Sequence, residues 1–126
     1  MNRLVLAISV ALLSAVPALA DDAVSPNLSD AFRSCYQRAG NNVVQRGVCS
    51  QREASAQDDR LNKAYQQVMH QLAKDPAAHD ALRDEERRWI RERDYACKIN
   101  GDTLDMGCVV MKTALRADEL ERRVHF

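Results

Sequence analysis

Few side chains in this sequence could do chemistry, and the most informative are four cysteines, Cys35, Cys49, Cys97 and Cys108. Thiols serve as nucleophiles, as metal ligands or as the halves of disulfides. An even number of them in a short chain that opens with an export signal points to a disulfide framework, hence two bridges. Of the three possible connectivities the sequence-local one, Cys35 with Cys49 and Cys97 with Cys108, is preferred. Each such bridge closes a loop on the order of 10 to 15 residues and contributes about 3 kcal/mol in the chain-entropy description. His70, His79 and His125 are scattered, and no Cys or His spacing matches a structural zinc site, so neither a metal nor another cofactor is expected. Glu85 and Glu86 are adjacent, so on a helix they project roughly 100° apart, a poor arrangement for a catalytic pair. With the cysteines bridged, no Ser-His-Asp or Cys-His constellation is left. The sequence reads as a binding protein and not as an enzyme.

The N-terminus reads as an export signal, so a place outside the cytoplasm is expected. Arg3 supplies a positive start, Leu4 to Leu13 an apolar stretch, and Ala18-Leu19-Ala20 a cleavage site, so residues 1–20 read as a signal peptide. The apolar stretch falls short of the roughly 20 residues a membrane span needs, and no later segment approaches it. No cysteine stands at the cleavage junction to take a lipid anchor. A soluble periplasmic or secreted protein is expected. Charge is balanced, with 18 Lys and Arg against 18 Asp and Glu, and the signs are interleaved. That gives no electrostatic footprint for nucleic acid or an anionic membrane.

Residues 21–29 form a polar, Pro-containing leader, expected to be flexible, and residues 30–126 a single domain. Ala31, Phe32, Cys35, Tyr36 and Ala39 share one face of a short first helix, which Gly40-Asn41-Asn42 ends. Gly47 keeps the connection to Cys49 loop-like. Ser50-Gln51-Arg52-Glu53 reads as a capping box that starts a long second helix. Its stripe runs Ala54, Asp58, Leu61, Tyr65, Val68, Leu72. Asp75-Pro76 ends that helix and caps a third, with the stripe Ala78, Leu82, Glu85 or Glu86, Trp89, Arg93, Cys97, closed by Asn100-Gly101. A last helix carries Met106, Val110, Thr113, Ala117, Leu120 and Val124. The fold class is all-α, a small three- to four-helix bundle built on a long antiparallel hairpin and stapled by two disulfides.

The short connection at Lys74 to Pro76 makes the second and third helices antiparallel, so residues at one level have numbers adding to about 150. Val68 meets Leu82, and Leu61 meets Trp89. Asp58 then faces Arg93, and a structural ion pair that fixes helix register is the commoner reading of two charges interrupting apolar stripes. Trp89 belongs to the core on the same logic. The level rule also gathers the cysteines at one end of the hairpin, which leaves a Cys49–Cys97 bridge open as an alternative.

The combination Asp58, Leu61, Asn62 and Tyr65, then Trp89, Arg93, Asp94 and Cys97, then Cys108, Thr113, Arg116 and Leu120 resembles a family of small exported bacterial domains, the lysozyme-inhibitor LprI-like N-terminal domain. The likeness spans about Cys35 to Arg123. Glu86 stands where the family pattern has Gln. The resemblance implies a protein partner, possibly a lysozyme, and an inhibitor that presents a rigid loop or helix end to a cleft where two carboxylates do the chemistry. The segments 98–107 and 40–48 are the candidates, with Lys98 or Arg46 reaching a carboxylate, while the family motif residues read as structural. A periplasmic structural or interaction module of the immunity or envelope-stress kind, without lysozyme contact, is the alternative.

Overall fold

A computed structural model describes residues 25–125; the expected signal peptide and residues 21–24 lie outside them. The element order is α1 (Asp30–Ala39), α2 (Val43–Gln71), α3 (Pro76–Ala96), β1 (Lys98–Asn100), β2 (Thr103–Leu104) and α4 (Met106–Arg123). The all-α class, the four helices and both sequence-local disulfides agree with the sequence. The alternative Cys49–Cys97 bridge is not formed.

Helix boundaries follow local chemistry in most places. Ser29 caps α1 by accepting from the Phe32 N–H, and Gly40 ends it at φ 54°, a backbone conformation that costs glycine little. Asp75 caps α3 by accepting from the Ala78 N–H, with Pro76 in the first turn as expected. Asp105 does the same for α4.

Two boundaries differ from the sequence reading. α2 starts at Val43, not at Ser50, with Asn42 as its cap, so the Ser50–Glu53 capping box does not exist. Ser50 and Glu53 lie well inside the helix and are buried. Gly47 is helical, and a glycine there costs about 1 kcal/mol relative to alanine, which the Cys35–Cys49 bridge and the packing two residues on offset. The second difference is at Asn100-Gly101, which does not end α3. That helix stops at Ala96, and Lys98 pairs with Leu104 and Asn100 with Thr103 in a two-stranded hairpin. Gly101, at φ 53°, takes the first position of its two-residue loop.

α2 and α4 lie closest together and run in the same direction: Arg60 meets Asp118, and further along Gln71 donates to the His125 carbonyl. Small residues Ala64, Ala114 and Ala117, all buried, permit that approach. α3 runs antiparallel to both and stands further off, because Arg83, Glu86 and Trp89 fill the space between. Leu61, Ala64, Val68, Leu82, Ala117 and Leu120 make the core, with Tyr65 and Trp89 packed on it. Each large aliphatic side chain there stabilises by roughly 1.5–3 kcal/mol. Val68 and Leu82 share this cluster, and Leu61 and Trp89 line one groove between α2 and α3. α1 buries no residue of its own and is held to α2 by the first disulfide and by Glu53.

Candidate functional site

Both disulfides sit at one end of the bundle. Cys35–Cys49 ties α1 to α2 with Cα atoms 5.8 Å apart, and Cys97–Cys108 closes the β-hairpin between α3 and α4 with Cα atoms 5.5 Å apart. A shallow cleft of about 460 Å³ joins the two stapled units, with Tyr36, Val43 and Arg46 on one side and Ile99, Leu104 and Met106 on the other. Large apolar side chains are unusually exposed here: Val43 by 80%, Val44 by 74%, Tyr95 by 81% and Ile99 by 59%. Elsewhere among the described residues only Ile90 is a comparable case.

The two cations expected at this end differ. The Arg46 guanidinium lies 5.0 Å from the Tyr36 ring centroid, and its Nε is buried without a hydrogen-bond partner. It braces the aromatic and does not reach out. Lys98 is half-exposed, with Nζ 3.8 Å from Asp102. The segment 40–48 is mostly helix, so what it presents is the first turns of α2 and not a loop.

The expected Asp58–Arg93 ion pair does not form. Arg93 donates from Nε and Nη2 to Asp94, from Nη1 to Thr113, and lies 5.3 Å from the Trp89 ring. Asp58 is exposed and accepts only from Asn62, at 3.3 Å. The level rule brought the two residues to one place, since both line a groove between α2 and α3, but α3 stands too far off for short contact. Leu61, Asn62, Tyr65 and Trp89 line the same groove, so most of the helix-pair motif faces a surface channel.

The buried cation among the described residues is Arg116. Its side chain is 4% exposed; Nε and Nη2 both donate to Glu86 Oε2, Nη2 also to Glu85, and Nη1 to Glu119. Arg123 continues the lattice to Glu85 and Glu119. Glu85 and Glu86 thus converge on one guanidinium. The Arg123 hydrogen bond outweighs burial and, with Arg116, holds the Glu85 carboxyl below its usual range. Burial pushes Glu119 up, but Arg116 and Arg123 more than reverse it. The same partners raise Arg116 and Arg123 against the cost of burying them.

A second polar network pins the leader. The buried Ser25 hydroxyl donates to Asp118 at 2.7 Å, Asn27 Nδ2 donates to the other Asp118 oxygen at 2.8 Å, and Arg60 bridges Asp118 to Glu121. Ser29 donates from both its N–H and its hydroxyl to Glu53, which also accepts from Gln57. Burial raises the Glu53 and Asp118 carboxyls, but these donors win and both are lowered. Residues 25–29 are therefore anchored, not flexible. The sequence reading missed Gln57 and Asp118 and gave Glu53 a capping role, although Glu53 and Gln57 stand in phase with Leu61, Ala64 and Val68, steps of four and three that mark a second buried edge of α2.

Among the described residues no group of three His, Cys, Asp or Glu is arranged to hold a metal ion, and no helix is long and apolar enough to cross a membrane. Over residues 35–120 the chain matches the family described as lysozyme inhibitor LprI. It belongs to that family. No curated protein and no solved structure matches the chain. Within this LprI-family domain the motif divides: Asp58, Asn62, Tyr65, Trp89 and Arg93 border the α2–α3 groove, whereas Thr113, Arg116 and Leu120 lie buried on α4.

Proposed function

We propose that this protein is exported by an N-terminal signal peptide and inhibits a lysozyme or a related cell-wall hydrolase by presenting its disulfide-stapled end to the enzyme's cleft. Membership of the LprI family supports the activity. The observation that carries the choice of surface is the crowding of Val43, Val44, Tyr95 and Ile99, all exposed, onto the end that both disulfides brace. A pre-ordered surface gives up little conformational freedom on docking, and apolar contact expels water from the interface. Lys98 supplies a cation for a cleft whose chemistry depends on two carboxylates.

The test is lysozyme digestion of cell walls, followed by loss of turbidity, with the oxidised mature protein titrated in. Inhibition that saturates near one equivalent is expected, weakened about tenfold or more in Lys98→Glu and in Val44→Asp, as the loss of one central contact of 1.4 kcal/mol or more produces. Curves unchanged in both variants would remove this surface from the reading. Absence of inhibition across several lysozyme types would remove the activity.

A further inference from the structure

The groove between α2 and α3 is separate from the disulfide end and encloses about 380 Å³, the size of a small-ligand site. Its walls differ chemically. Leu61, Tyr65 and Trp89 give an apolar floor and sides. On the α2 wall, Asp58 and Asn62 stand one helical turn apart, and Asp58 has no cationic partner among the described residues. On the α3 wall, Arg83 and Arg87 also stand one turn apart. Arg87 is exposed and in no ion pair among the described residues. Arg83 pairs through Nη1 with Asp80 at 3.2 Å, while its Nε, 3.5 Å from Asp84, is buried with no hydrogen bond. Glu86 contributes no free charge, being held by Arg116.

We infer that this groove binds a short N-acetylated glycan that carries a carboxylate. Arg87, unpaired and one turn from Arg83, matches a carboxylate on one edge of such a ligand. Asp58 and Asn62 match hydroxyl and acetamido N–H donors on the other, the Asn side chain also offering donors of its own. The apolar floor accepts the ring face and the acetyl methyl. Choosing a glycan over other small acids rests on the lysozyme reading, since that enzyme's substrate has this chemistry. The site would let an inhibitor stay on the polymer whose cutting it prevents.

The probe is the N-acetylglucosamine–N-acetylmuramic acid disaccharide, titrated into the ¹⁵N-labelled mature protein, with the neutral N-acetylglucosamine disaccharide as comparison. Saturable shifts confined to the amides around Asp58, Asn62, Arg87 and Trp89 are expected, and the acidic sugar should bind more tightly than the neutral one. Arg87→Gln removes one charged hydrogen bond and should raise Kd about tenfold. Arg87 is exposed and unpaired, so the variant should melt with the wild type, and it should inhibit lysozyme as the wild type does. No saturable binding, equal binding of the two sugars, or an unchanged Kd in Arg87→Gln would overturn the site. Sugar binding together with absent inhibition would instead strike at the lysozyme reading alone.

Discussion

The body of the bundle and its disulfide end solve the same problem by different means. In the body, α2, α3 and α4 bury aliphatic residues and then lock register with charge: Arg116 alone gathers three carboxylates. At the other end, α1 buries no residue and the β-hairpin is only three and two residues long. Neither has enough apolar burial to hold itself, and two covalent bridges take over. Because the bridges carry the stability, the side chains there need not face inward. That is how Val43, Val44 and Ile99 come to stand in solvent.

The comparison can be broken at its strongest point first. Arg116→Ala strands Glu86, which is buried, beside Glu85 and Glu119, and should lower the unfolding free energy by about 3–5 kcal/mol in urea denaturation. Asp58→Ala, by contrast, should change it by less than about 0.5 kcal/mol, because Asp58 is exposed and unpaired with Arg93. Equal effects would mean that the register-fixing charge had been assigned to the wrong residue. Next in size, replacing Cys97 and Cys108 together by Ser should cost about 3 kcal/mol and abolish inhibition, while leaving the far-ultraviolet helix signal in place below the shifted melting temperature.

Acid should strike the charge networks and spare the covalent bridges. Glu53, Glu85, Asp118 and Glu119 all have folded-state pKa values below their usual ones. A depressed carboxylate contributes stability that is fully present above its unfolded value, near 4, and lost as pH falls through the lower folded value. The melting temperature should therefore be level above about pH 5 and fall steeply below about pH 4. A flat profile down to pH 3 would contradict both networks. A small effect of the opposite sign is expected at the stapled end: Gly47→Ala adds a Cβ that meets nothing within 4 Å at a helical position, and should stabilise by about 0.5–1 kcal/mol. A destabilising result would show that the first turns of α2 need glycine for a reason other than space.

Much of this molecule is legible in the residues themselves. Apolar spacing gives the helices, Asp75-Pro76 the turn between α2 and α3, and the even cysteine count the two bridges, because each of these is a local or short-range constraint. The level rule even brings Asp58 and Arg93 to one groove. What it could not supply is the distance between helices, which depends on the bulk of every side chain between them; alanines let α4 close on α2, and Trp89 and the arginines hold α3 away. Partner choice follows from that spacing. Ser25 finds Asp118 across 93 positions and Arg116 finds Glu86 across 30, pairings that no periodicity encodes, since a charge has no preferred sequence neighbour and only the packed helices decide which carboxylate is near enough to meet it. Residue types and their spacing suffice for a stapled helical bundle; which charges are buried and which apolar side chains stay exposed follows only from packing, because both depend on how far apart the helices stand.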